Sequence, residues 1–125
     1  MRAFALLLAA TAAIAPAPIP AQAQRLDLAP LADRFAACAG RLAGQMEHQW
    51  LADDPASATT EAQRKTMREL LDTVLAPDKR AVALAREHEA KLAWERLMKR
   101  AETGDDWAKA RAAAEIETCT QLLLP

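Results

Sequence analysis

Apolar residues recur along the chain at spacings of three and four, in four separate runs. In the first run, Leu31, Phe35, Cys38, Leu42, Met46 and Gln49/Trp50 fall on one side of a helix with about 3.6 residues per turn. In the second, Met67, Leu70, Leu71, Val74 and Leu75 make a narrow amphipathic stripe. The third carries two stripes: Ala81, Leu84, Ala85, His88 and Leu92, and then Ala83, Ala90, Trp94, Leu97 and Ala101. Two stripes predict a helix that touches two neighbours. The fourth places Ala108, Ala112, Ile116, Cys119 and Leu122/Leu123 inward, with Glu115 at the margin.

The breaks between runs carry recognisable stop and start chemistry. Pro30 suits the first turn of a helix. The stretch Ala52–Thr60, "ADDPASATT", breaks the period and reads as a loop. Thr60-Glu61-Ala62-Gln63 then matches a capping box. Pro77-Asp78 ends the second run, and Thr103-Gly104-Asp105-Asp106 separates the third from the fourth. There Thr103 or Asp105 suits the cap position, and two aspartates suit a helix N-terminus. The pattern predicts helices over about 28–51, 60–76, 78–102 and 105–123. Alanine, leucine, glutamate, lysine and arginine dominate, and tyrosine is absent. The fold class that follows is all-α: a small antiparallel up-down four-helix bundle.

Two glycines sit inside the first predicted helix, where each costs about 1 kcal/mol relative to alanine. Ala36, Gly40 and Gly44 make a ridge of small residues. In a membrane such a ridge favours helix pairing. Arg34, Arg41, Glu47 and His48 on the same segment rule out a membrane span. The ridge is read instead as a flat strip where a neighbouring helix comes close.

The first 23 residues form a separate unit. Arg2 supplies a short positive start, "AFALLLAATAAIA" is an apolar stretch too short for a stable span of about 30 Å, and Ala21-Gln22-Ala23 is an A-x-A cleavage pattern. Residues 1–23 are expected to be a cleaved secretory signal peptide. Residues 24–125 are expected to form a single helical domain beginning at Gln24, periplasmic or secreted. Loss of Arg2 takes the net charge from −1 to −2. No basic stripe for nucleic acid and no polybasic membrane patch is formed.

Export changes the meaning of the two cysteines, Cys38 and Cys119. An even count in an oxidising compartment reads as a disulfide. At about 1.5 Å per residue, Cys38 lies roughly 15 Å up the first helix and Cys119 roughly 21 Å down the fourth. In a bundle about 36 Å tall the two fall at one height. The bridge is therefore expected to staple the first helix to the last.

Catalytic and metal chemistry lack their parts. The two histidines follow glutamates, at Glu47-His48 and Glu87-His88-Glu89, and adjacent helical residues diverge by about 100°. No Glu-x-x-His, H-E-x-x-H, C-x-x-C or G-x-S-x-G pattern is present. A haem held between His88 and Met46 fails on height, roughly 15 Å against roughly 27 Å. No catalytic residue, metal site or cofactor is expected, and enzymatic activity is disfavoured. His88 is read as a core histidine with Glu115 as its partner. The remaining candidates are His48, Trp50 and Trp107, which gather with Trp94 toward the end where the first helix finishes. Tryptophan is enriched in interface hot spots, so His48, Trp50 and Trp107 are expected to form an edge that binds another envelope protein. The chain reads as a non-enzymatic interaction, inhibitor or chaperone-like module. The alternative is a carrier of a small ligand or cofactor in the bundle interior.

Overall fold

The computed structural model describes residues 11–17 and 27–124. Residues 11–17 carry no regular structure and are exposed. The expected cleavage point after Ala23 lies outside the described residues. The rest is all-helical: α1 (Ala29–Leu51), α2 (Ser57–Val74), α3 (Arg80–Glu102) and α4 (Asp106–Gln121), with one 3₁₀ turn at Pro77–Lys79 leading into α3. The helices pack as an up-down bundle, with α1 and α4 antiparallel and joined by the Cys38–Cys119 disulfide, Cα–Cα 5.3 Å.

Helix α1 is the centre of the molecule. It packs most extensively against α3 and α2, and also touches α4. Six consecutive residues, Phe35 through Gly40, are buried, so the helix is covered on nearly every side. The small residues at 36–40 allow this. A Cβ built on Gly40 would collide with the carbonyl oxygen of Glu87 and stand 3.0 Å from the backbone nitrogen of Lys91, both on α3. One turn on, a Cβ at Gly44 would stand 2.9 Å from the ring edge of Trp94. The two glycines therefore bring the backbones of α1 and α3 into contact. These helices run parallel, since residue 40 meets 87–91 and residue 44 meets 94–95.

Trp94 completes this seam. It is buried, and its indole Nε1–H donates to the backbone oxygen of Ala112 on α4 at 3.2 Å. Met67 and Leu71 of α2 enter the same core, with Leu70, Val74 and Leu75 packed against it. On α4 the inward residues are Ala108, Ala112, Ile116 and Cys119, as the periodicity predicts.

Two helix ends close in the same way. At the end of α3, Gly104 takes φ +96, its N–H donates to Ala101 O, and the Asp105 N–H donates to Arg100 O. This is a Schellman motif. At the end of α1 the same pair of bonds forms around Asp53, a non-glycine residue with φ 52. Asp54 then starts α2: its Oδ1 accepts from the Ala56 N–H at 2.9 Å, and its carbonyl oxygen accepts from the Ser57 N–H at 3.1 Å.

The structure departs from the sequence reading in three places. Helix α2 begins at Ser57, not Thr60, so the capping box does not form. Pro55 has a fixed φ that suits an incipient helix, and the coil starts there. Thr60 lies inside the helix, buried, with its hydroxyl donating to Ala56 O. Second, only one stripe of α3 is covered, that of Ala83, Ala90 and Trp94, with Leu97 and Ala101 half-buried. Leu84, Leu92 and their stripe face outward, because α2 rests on α1 and leaves the far side of α3 uncovered. Third, His88 belongs to that outer stripe and is exposed, so it is not a core histidine. Glu115 pairs instead with Arg41 at 3.4 Å and Arg111 at 3.1 Å.

The α1–α3 contact generates a direct prediction. Gly40→Ala gains about 1 kcal/mol of helix propensity but places a methyl group against backbone, where overpacking costs typically 1–3 kcal/mol or more. The variant should be less stable in urea unfolding, and by more than Gly44→Ala, whose methyl meets a side chain. A Gly40→Ala protein at least as stable as the parent would refute the backbone contact.

Candidate functional site

Candidate binding residues cluster at the end of the bundle where α1 stops and α4 starts. Trp50 is 50% exposed and Leu51 89% exposed at the end of α1. Trp107, the second residue of α4, is 63% exposed. His48 is partly exposed. Its ring meets Trp94 edge-on at 6.4 Å, and its Nδ1 lies 3.5 Å from a Glu102 carboxylate oxygen. His48 thus faces α3. Trp50 lies two residues on, about 200° further round the helix, and faces away from it. Of the three tryptophans gathered at this end, Trp94 is core, while Trp50 and Trp107 present separate apolar surfaces.

Trp107 is the one held in place by neighbours. Arg100, at the end of α3, lays its guanidinium over the indole ring, 5.4 Å from the centroid. The same guanidinium donates to Asp105 Oδ2 at 2.6 Å. Asp105 Oδ1 in turn accepts from the Ala108 N–H at 3.0 Å and caps α4. A three-residue connection, Thr103 to Asp105, thereby fixes the end of α3, the start of α4 and the exposed ring together. The backbone N–H of Ala108, then the Arg100 guanidinium, holds the Asp105 carboxyl below the usual carboxylate range.

Beside Trp107 runs a shallow groove of about 390 Å³ between α3 and α4. Ala93, Leu97 and the tryptophan give it an apolar floor, and Arg96, Arg100 and Arg111 line it with positive charge beside one carboxylate, Glu115. These arginines were not singled out by periodicity, which reads them only as the outer faces of two helices. Their spacing of four on α3, at 96 and 100, was the available signal.

A second cleft lies at the opposite end. It holds about 500 Å³ between the start of α1, the end of α2 and the start of α3. Leu28, Ala32, Val74, Leu75, Val82 and Ala83 make it mainly apolar. It is open to the surface. At the centre of the bundle the positions are filled by Leu42, Met67 and Cys119, all fully buried.

Among the described residues, no three His, Cys, Asp or Glu side chains are grouped to hold a metal ion. Met46 is buried while His88 is exposed, so the pair does not converge on a common ligand. No helix among the described residues is long and apolar enough to cross a membrane. No protein-family model, curated protein or solved structure matches the chain.

The Asp105 geometry sets a pH dependence. A carboxylate whose folded pKa is lowered stabilises the fold above its unfolded pKa of about 3.9, and that contribution is lost as pH falls through the lowered folded value. Asp105→Asn keeps a capping oxygen but loses the charge facing Arg100. The variant should be less stable than the parent near pH 7, with the gap closing below about pH 4. Urea unfolding at the two pH values measures it. A gap that persists unchanged in acid would mean that the charge contributes nothing.

Proposed function

We propose that the chain is an exported, non-enzymatic interaction module that acts in the periplasm on another envelope protein. The observation that carries this reading is the exposed Trp107 ring, braced by Arg100 and Asp105 rather than left free. A rigid aromatic side chain loses little entropy on binding, which suits a hot spot. Trp50 and Leu51 add a second exposed apolar surface at the same end. The buried Cys38–Cys119 bridge supports an oxidising compartment. The A-x-A pattern at Ala21–Ala23 supports delivery by a cleaved leader. A carrier using the bundle interior is less well supported, since its central positions are occupied by side chains and the larger cleft opens at the surface.

Two measurements test the reading. Intact mass of the exported protein should correspond to a chain beginning at Gln24; a retained leader would end the assignment to a free periplasmic module. Affinity capture from envelope extract should recover a partner with the parent protein and lose it with Trp107→Ala or Trp50→Ala. Both rings are largely exposed, so either variant should unfold near the parent temperature. Identical capture profiles for all three proteins would remove the tryptophan end as the docking site.

A further inference from the structure

We infer that the groove between α3 and α4 binds a short acidic segment of a partner protein, with an apolar or aromatic side chain seated against Trp107 and a carboxylate on Arg96. This rests on the interaction-module reading and adds the chemistry of the partner. The argument is one of charge. The whole chain is slightly acidic, with a net charge of −1. The groove is the reverse. Arg96, Arg100 and Arg111 line it against one carboxylate, Glu115, which also pairs with Arg41 of α1.

Among the described residues, only two carboxylates answer these four guanidiniums. Asp105 is taken by Arg100 at 2.6 Å. Glu115 is shared between Arg111 at 3.1 Å and Arg41 at 3.4 Å. Arg96 is exposed and makes no ion pair among the described residues. A planar guanidinium with free N–H groups favours bidentate carboxylate binding. The apolar floor of Ala93, Leu97 and Trp107 lies beside it. An incoming segment therefore meets an apolar seat and a free arginine side by side.

The dimensions favour a peptide over a nucleic acid. From Ala93 to Arg100 the groove runs about 10 Å along the helix axis, the length of roughly three extended residues. A nucleic-acid strand spaces its charges along a continuous backbone and needs a basic track to match. Here the positive stretch is bounded by Glu115 on one side and by Asp105 and Asp106 on the other.

The test uses two capped peptides, acetyl-Glu-Phe-Glu-amide and acetyl-Gln-Phe-Gln-amide. Binding is followed by tryptophan emission in a Trp50→Phe protein, where Trp94 is buried and Trp107 reports. The glutamate peptide should bind at least ten-fold more tightly at low salt, and the difference should shrink in high salt. Arg96→Glu should abolish that preference and Arg96→Lys should retain part of it, with the thermal unfolding of both variants near that of the parent. Equal binding of the two peptides, no binding of the glutamate peptide at millimolar concentration, or an unchanged preference in Arg96→Glu would each overturn the inference. Tighter binding of an oligothymidylate than of the glutamate peptide would overturn it in favour of nucleic acid. A groove that selects the glutamate peptide, in a protein that captures nothing from the envelope, would leave the inference standing and count against the proposed function. A captured partner insensitive to Arg96→Glu would do the opposite.

Discussion

The close approach of α1 and α3 sets the rest of this structure. In a square up-down bundle the first and third helices stand on a diagonal and are kept apart by side chains. Here Gly40 offers no Cβ where the Glu87 carbonyl presses in, and Gly44 offers none beneath the Trp94 ring. The diagonal collapses and the bundle flattens. Each glycine costs its helix about 1 kcal/mol of propensity. That cost is offset by burial of nearly the whole circumference of α1, which an alanine- and glycine-rich sequence can tolerate and a leucine-rich one could not.

Several other features take their place from this contact. With α1 against α3, α2 packs on α1, and α4 packs mainly on α3 while reaching α1. Cys38 and Cys119 then lie at one height, 5.3 Å apart at Cα. A bridge across that sequence separation removes unfolded-state entropy worth about 4 kcal/mol in the chain-entropy model. Trp94 holds the third side by bonding to Ala112. Ion pairs line the seam between α1 and α3, with Lys91 Nζ 2.7 Å from Glu47 and Arg86 Nε 3.0 Å from Asp33. The hydrogen bond to Glu47 raises the Lys91 pKa against the opposing effect of burial. Exposed pairs of this kind contribute about 1 kcal/mol or less each, so they tune the register of the two helices and do not hold them together.

Much of this was legible in the sequence, for physical reasons that can be named. Periodicity located four helices because each buries a stripe. The cysteine heights agreed because helix rise is nearly constant. The Ala36-Gly40-Gly44 ridge announced a close neighbour, though not which helix it would be. The second stripe of α3 misled, because apolar spacing marks a surface fit for burial and says nothing about whether a neighbour remains to cover it. Leu84, Leu92 and His88 stayed outside once α2 had settled on α1. The capping box at Thr60 failed because Asp54 and Pro55 had already begun the coil. Of the expected edge, Trp50 and Trp107 are exposed, but the rotation between His48 and Trp50 faces those two apart. The arginine groove was hidden from periodicity, since charged residues on two separate helices become neighbours only when α3 and α4 are set side by side.

Folding and recognition share residues at that place. Gly104 turns the chain, Asp105 caps α4, and Arg100 both closes onto Asp105 and stacks on Trp107. Each of these is a local contact, formed within eight residues of chain. The exposed ring is therefore oriented by the turn that folds the helical hairpin. The wall opposite is different. Arg96 and Leu97 stand where they do because Trp94, two and three residues before them and on the inner face, is pinned between Gly44 and Ala112. The groove joins a locally determined half to one fixed by the glycine contact at the centre of the bundle. A change at Gly40 or Gly44 that displaces α3 would carry Arg96, Arg100 and the capped turn together, so the close approach that sets the fold places this surface on the bundle while the turn sets its internal spacing.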